Sequence, residues 1–140
     1  MANYYATART SYVKVKDEAV FLRWAEQVSE AEVITRETEE HGKLYGFLFG
    51  TNSDCGSIPN CKWDEDYDEC FDLDIYEEIQ PHIADGWSIT FMESGAEKYR
   101  YVVGLAAVVT PNKIEHCDLL TWVSETLNDL GDPMSTPCEF

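Results

Sequence analysis

Trp87-Ser88-Ile89-Thr90-Phe91 alternates large apolar side chains with small polar ones, and beyond Ser94-Gly95 the chain continues through Lys98 to Val109. A period of two is the signature of a strand with one buried face. The reading predicts two strands joined at a Ser94-Gly95 turn, lying at the centre of a sheet. Further strands and helices are then expected to build outward from this pair.

Upstream, residues 4–15 also alternate, with Tyr4, Ala6, Ala8 and Tyr12 on one side and Thr7, Arg9 and Ser11 on the other. Asp17 is placed to cap a helix whose Val20, Phe21, Trp24 and Val28 recur at helical spacing. Glu32 to Arg36 and Lys43 to Phe49 read as a hairpin around His41-Gly42. From Thr51 to about Asp72 the chain is polar and rich in Gly, Pro, Asn and Asp, which predicts a long acidic loop, and long loops are often functional. Leu73 to Ile83 predicts a short helix with Ile75, Ile79 and Ile83 inward, interrupted by Pro81.

Downstream, Ile114 to Asp118 predicts a short strand before a helix striped by Leu119, Leu120, Val123, Leu127 and Leu130, with Gly131 and Pro133 as stop signals. The sum is an α+β fold: a mostly antiparallel sheet of about four to six strands with two longer helices and one short acidic helix. Residues 1–131 are expected to form a single domain, with 132–140 a disordered tail. No internal repeat interrupts it.

The composition bounds the function. Of 140 residues, 44% are hydrophobic and 13% aromatic, enough for a core, while 27 carboxylates against 10 Lys and Arg give a formal charge of −17. A surface of that sign repels nucleic acid and anionic membranes, so direct binding to either is not expected. With no export signal and no apolar run long enough to span a bilayer, a cytoplasmic location is expected, where the five cysteines stay reduced.

The charge is concentrated. Residues 1–43, 44–97 and 98–140 carry net charges of −2, −12 and −3, and within the middle block Asp64, Glu65, Asp66, Asp68, Glu69, Asp72, Asp74, Glu77 and Glu78 occur with no intervening Lys or Arg. B-DNA carries one charge per ~1.7 Å of axis, so seventeen charges correspond to roughly 29 Å of duplex. A domain of this length has a diameter of roughly 35–40 Å, a matching scale. Trp63, Tyr67, Phe71 and Tyr76 are interleaved among the acids, and aromatic residues are frequent interface anchors.

Other chemistries fit less well. Asp64-Glu65-Asp66-Tyr67-Asp68 begins like a calcium loop, but Glu69 stands where Gly is needed and Ile75 where a bidentate Glu is needed. Cys55, Cys61 and Cys70 with His116 or Cys117 lack the paired spacing of a zinc knuckle. His41, His82 and His116 are the conventional bases for a cysteine nucleophile, and no nucleotide-binding or hydrolase motif accompanies them. No metal, cofactor or catalytic residue is therefore expected.

The segments 2–17 (Ala2-Asn3-Tyr4-Tyr5 through Lys16-Asp17) and 95–104 (Gly95-Ala96-Glu97-Lys98 through Val103-Gly104) resemble those of small acidic phage and plasmid proteins, and the chain is similar in character to DNA-mimicking anti-restriction and anti-CRISPR inhibitors. The resemblance implies a non-enzymatic counter-defence protein whose partner is a basic nucleic-acid-binding protein or complex, such as a host defence nuclease. Trp63, Asp64, Glu65, Asp66, Tyr67, Asp68, Glu69, Asp72, Asp74, Glu77 and Glu78 are the expected partner-binding residues. An immunity protein capping a toxin nuclease, and a metal- or cysteine-dependent enzyme acting on a host protein, are the alternatives. The sequence sets no oligomeric state.

Overall fold

The structure is a computed structural model that describes residues 4–51 and 56–138. In chain order the elements are β1 (Tyr5–Thr10), α1 (Glu18–Gln27), β2 (Ala31–Thr38), β3 (Gly42–Phe49), β4 (Cys61–Trp63), β5 (Cys70–Asp72), α2 (Ile75–Ile79), a 3-10 turn (Gln80–His82), β6 (Ile89–Ala96), β7 (Val102–Val109), β8 (Ile114–Asp118) and α3 (Leu119–Asp129). Six strands form one sheet in the order β2-β3-β1-β6-β7-β8. All its pairings are antiparallel, and the fold is the expected α+β.

Alternation decides which side of the sheet is core. Ala8 and Thr10 of β1, Phe47 and Phe49 of β3, Ile89 and Phe91 of β6 and Ala107 and Val109 of β7 are buried on one face. Across that face Phe47, Phe49 and Phe91 stack in sequence with centroids 5.7 and 6.2 Å apart. Helix α1 lies on them through Phe21 and Trp24, 5.8 and 6.0 Å from the Phe47 ring, an arrangement favoured beyond simple area burial. Asp17 caps α1 by accepting the Val20 amide at 3.1 Å. Ile75, Ile79 and Ile83 close the same layer, and the helix gives way to the 3-10 turn where Pro81 can no longer donate. No helix among the described residues is long and apolar enough to cross a membrane.

Four local expectations need correction. Val20 is exposed, because the buried arc of α1 runs through Phe21, Trp24, Ala25 and Val28. Regular β1 ends at Thr10, whose buried hydroxyl accepts the Phe47 amide at 2.8 Å and donates to the Ser11 carbonyl at 2.7 Å. Val13 then takes the buried position beside Tyr45, while Tyr12 lies under the Arg36 guanidinium at 4.5 Å. Ser94-Gly95 is not a turn: both residues pair inside β6, with Gly104 and Val103 on one side and Thr7 and Ala6 on the other. Glycine is needed there because a Cβ would sit 2.5 Å from the Tyr4 hydroxyl, and the chain reverses instead around Lys98, with φ of 49°.

The fourth correction concerns the stretch read as a loop. Its residues 61–72 hold the two-stranded ribbon β4–β5, with Cys61 opposite Asp72 and Trp63 opposite Cys70. Residues 52–55, including Cys55, and 1–3 and 139–140 lie outside the described residues.

Candidate partner-binding surface

Three residue pairs register the ribbon, and the rest of its order comes from hydrogen bonds at its two ends. At the tip, Asp64 donates its amide to the Glu69 carbonyl at 2.9 Å, its carbonyl accepts from Tyr67 at 3.1 Å, and its carboxylate accepts from the Asp68 amide at 2.8 Å. Tyr67 completes the reversal with φ of 59°, a left-handed conformation uncommon for a bulky residue. At the base, the Ser29 amide donates to the Cys61 carbonyl at 3.1 Å and the Leu73 amide to the Asn60 carbonyl at 2.9 Å.

Glu78 ties the ribbon to both helices of the core layer. One oxygen, Oε1, accepts from Lys62 Nζ of β4 at 2.7 Å and from Trp24 Nε1 of α1 at 3.0 Å. The Lys62 and Glu78 side chains are 30% and 28% exposed, so the pair is more shielded than an ordinary surface bridge.

The nine acids predicted as partner contacts consequently divide by task. Asp64 orders the tip, Glu78 braces the ribbon, and Asp74 caps α2 by accepting the Tyr76 and Glu77 amides at 3.2 and 3.3 Å. Glu65, Asp66, Asp68, Glu69, Asp72 and Glu77 are exposed and enter no ion pair among the described residues. Lys62, the only cation of the block, is spent on Glu78.

Strand alternation sorts the aromatics. Trp63 shares its ribbon face with Cys70 and the neighbouring pair Cys61–Asp72, whereas Phe71 and Lys62 point to the other face. Trp63, Tyr67 and Phe71 are all exposed. Tyr76 is not part of this surface: its ring meets Phe91 edge-on at 5.1 Å and stacks on His116 at 6.2 Å. Burial, with Glu93 and Asp74 nearby, pushes its phenol up.

Two further reactive groups, Cys70 and His82, are held by contacts within the fold. Cys70 is hydrogen-bonded to Cys61, which raises its thiol to about 11, with slight burial and the neighbouring Cys61 and Asp72 charges adding to the effect. A thiol so raised is protonated near neutrality. No group of three or more His, Cys, Asp or Glu suited to a metal ion occurs among the described residues. His82 stacks on Trp24 at 5.1 Å, and burial lowers its pKa against the opposing influence of Glu78.

A cleft of about 510 Å³ beside Tyr76 contains the buried Glu93. That carboxylate accepts the Ile58 amide at 2.6 Å and the Tyr4 hydroxyl at 2.8 Å, fastening the segment after residue 55 and the start of the chain to β6. It is a strut. Nothing in the charge count marked Glu93 apart from the other carboxylates; only its inward place in the alternation of β6, with Ile89 and Phe91, distinguishes it.

No family model, curated protein or solved structure matches the chain.

Proposed function

We propose that the chain is a cytoplasmic, non-enzymatic inhibitor that occupies the basic nucleic-acid-binding surface of a host defence complex, a CRISPR effector or a restriction nuclease, by presenting carboxylates in place of phosphates. One observation carries this reading: five exposed carboxylates without an ion partner among the described residues, Glu65, Asp66, Asp68, Glu69 and Asp72, sit with three exposed aromatic rings on a ribbon held by hydrogen bonds at tip and base, and Glu77 is exposed on α2. Uncompensated carboxylates offer Lys and Arg of a nucleic-acid channel the same charge-assisted hydrogen bonds that phosphates do. The rings supply desolvated anchors that charge alone lacks. Ordering beforehand matters because a floppy acidic loop would lose conformational entropy on docking.

The test neutralises only the acids that have no task in the fold: Glu65→Gln, Asp66→Asn, Asp68→Asn, Glu69→Gln, Asp72→Asn and Glu77→Gln together. Purified wild-type and neutralised chains are titrated into a panel of CRISPR effectors and restriction nucleases while DNA binding and cleavage are followed at rising salt. The expected result is inhibition that weakens with salt and disappears in the neutralised chain, which keeps its thermal stability. Inhibition that survives neutralisation, or an absence of inhibition across the panel, overturns the reading.

A further inference from the structure

The face of the sheet opposite the core is largely bare, and α3 stands beside it with its apolar stripe uncovered. No residue of α3 is buried. At ~100° per residue, Leu119, Leu120, Trp122, Val123 and Leu130 fall on one side and Thr121, Ser124, Glu125 and Asn128 on the other. Leu120, Trp122 and Leu130 are 78%, 61% and 69% exposed. An 11-residue helix is marginal in water without packing on its apolar side.

The first turn of α3 shows where the helix meets the sheet. Leu119 rests on Gly104 of β7, where a Cβ would lie 2.6 Å from its Cδ1. Beyond that contact the helix and sheet leave an open groove of about 730 Å³ between Trp122, Met92, Ala106 and Cys117. Met92 is 59% exposed, and Val102 and Val108, on the same side of β7, are exposed as well.

We propose that a second copy of this chain covers this face, with α3 of each copy lying in the groove of the other about a two-fold axis. Two observations commit the surface to that occupant. The first is area: with every exposed apolar side chain of the helix and the sheet face covered, the area removed reaches on the order of 800 Å² per copy, the share each partner contributes to a standard stable interface. The second is charge. The open sheet face carries Arg9 and Arg36 against Glu32 and Glu115, with Glu115 already paired with Lys113 at 2.9 Å, while Asp118 lines the groove and α3 adds Glu125 and Asp129. Two molecules of charge −17 repel over most of their surfaces, and this face, less acidic than the ribbon, lets them approach with less repulsion. Reciprocal exchange of one helix closes the assembly, whereas a head-to-tail use of the same surfaces would polymerise.

The proposal does not depend on the acidic ribbon, and salt separates the two. Screening weakens attraction between the ribbon and a basic partner but relieves repulsion between two acidic copies. Sedimentation equilibrium of the whole chain under reducing conditions is expected to give twice the monomer mass, with dissociation weakened as NaCl rises. Leu120→Glu on the helix and Met92→Glu on the sheet are each expected to weaken association at least about tenfold, with circular dichroism unchanged. The six-fold neutralised chain stays dimeric. A wild-type monomer at every concentration, a dimer indifferent to Met92→Glu, or a monomer that instead binds phosphatidylcholine vesicles overturns the proposal.

Discussion

Lys62→Met tests whether the ribbon is held by its charge contact or merely by the chain on either side of it. The substitution keeps the aliphatic stem of the side chain and removes the ammonium that bonds Glu78 Oε1 at 2.7 Å. A hydrogen bond to a charged group contributes about 1.5–3 kcal/mol, and an exposed ion pair about 0.2–1 kcal/mol. With both side chains 30% and 28% exposed, the contact falls between these ranges, near about 1 kcal/mol after discounting for solvent. Glu78 retains its bond from Trp24 Nε1, so its carboxylate is not orphaned and the loss stops there. For a chain of this length that corresponds to a fall of roughly 3–4 °C in Tm. The decisive measurement is amide exchange. The Ser29 and Leu73 amides, which bond the base of the ribbon, should exchange faster by about fivefold, while amides of the β1–β6 pairing follow only the global change. Unchanged protection at Ser29 and Leu73, or a loss spread evenly over the sheet, would refute the idea that Glu78 braces the ribbon.

Three further outcomes follow from particular groups. Tyr67→Gly should raise stability by about 0.5–1 kcal/mol in urea unfolding, since φ of 59° strains a bulky residue, yet it should weaken partner binding by removing an exposed ring. His82, whose pKa is lowered mainly by burial, binds fewer protons folded than unfolded; its contribution to stability is complete above its ordinary pKa of 6.5 and is lost as pH falls through the depressed value. The fall in Tm between neutral and mildly acidic pH should therefore be smaller in His82→Phe than in the wild type. Cys70, raised to about 11 by its Cys61 bond, should be alkylated by iodoacetamide at pH 8 about a hundredfold more slowly than an ordinary exposed thiol, as mass spectrometry of the modified peptides would show, and Cys61→Ser should change that rate more than Cys117→Ser.

Local pattern carried the sheet and the helices because burial on one face imposes a period that short segments record on their own. The Ile89–Phe91 alternation, the Asp17 cap and the Ile75–Ile79–Ile83 series all report such local constraints, and each element lies where its pattern put it. What failed was set by partners distant in sequence. Ser94-Gly95 has the composition of a turn, but Gly95 is glycine because Tyr4 crosses it, a contact spanning most of the chain. The ribbon β4–β5 is only three residues per strand, too short for alternation to register, and its acids read as solvated loop. The site was legible as composition and not as geometry: clustering identified the nine carboxylates, while the division between the six left without a task in the fold and the three engaged in hydrogen bonds, Asp64, Asp74 and Glu78, depends on contacts that charge counts do not encode. The stripe of α3 was visible in the sequence, but an apolar stripe predicts a covered face, and no residue of this helix is buried within its own chain.

The two surfaces proposed for this chain solve opposite problems with the same net charge. An acidic ribbon gains from every uncompensated carboxylate, whereas association between copies loses from each one, so both can coexist only if the charge is unevenly placed. That condition is met: the ribbon and α2 hold six exposed carboxylates that neither pair with a cation nor accept a backbone amide among the described residues, while the open sheet face sets two arginines against two glutamates. A two-fold pair would then carry two ribbons, and engagement of one would raise the effective concentration of the other at any partner with two basic sites within reach. Dissociating the pair with Leu120→Glu should consequently leave binding to a single isolated basic site unchanged and weaken binding to a two-site complex. A loss of equal size on both would place α3 within the partner contact itself and collapse the two surfaces into one.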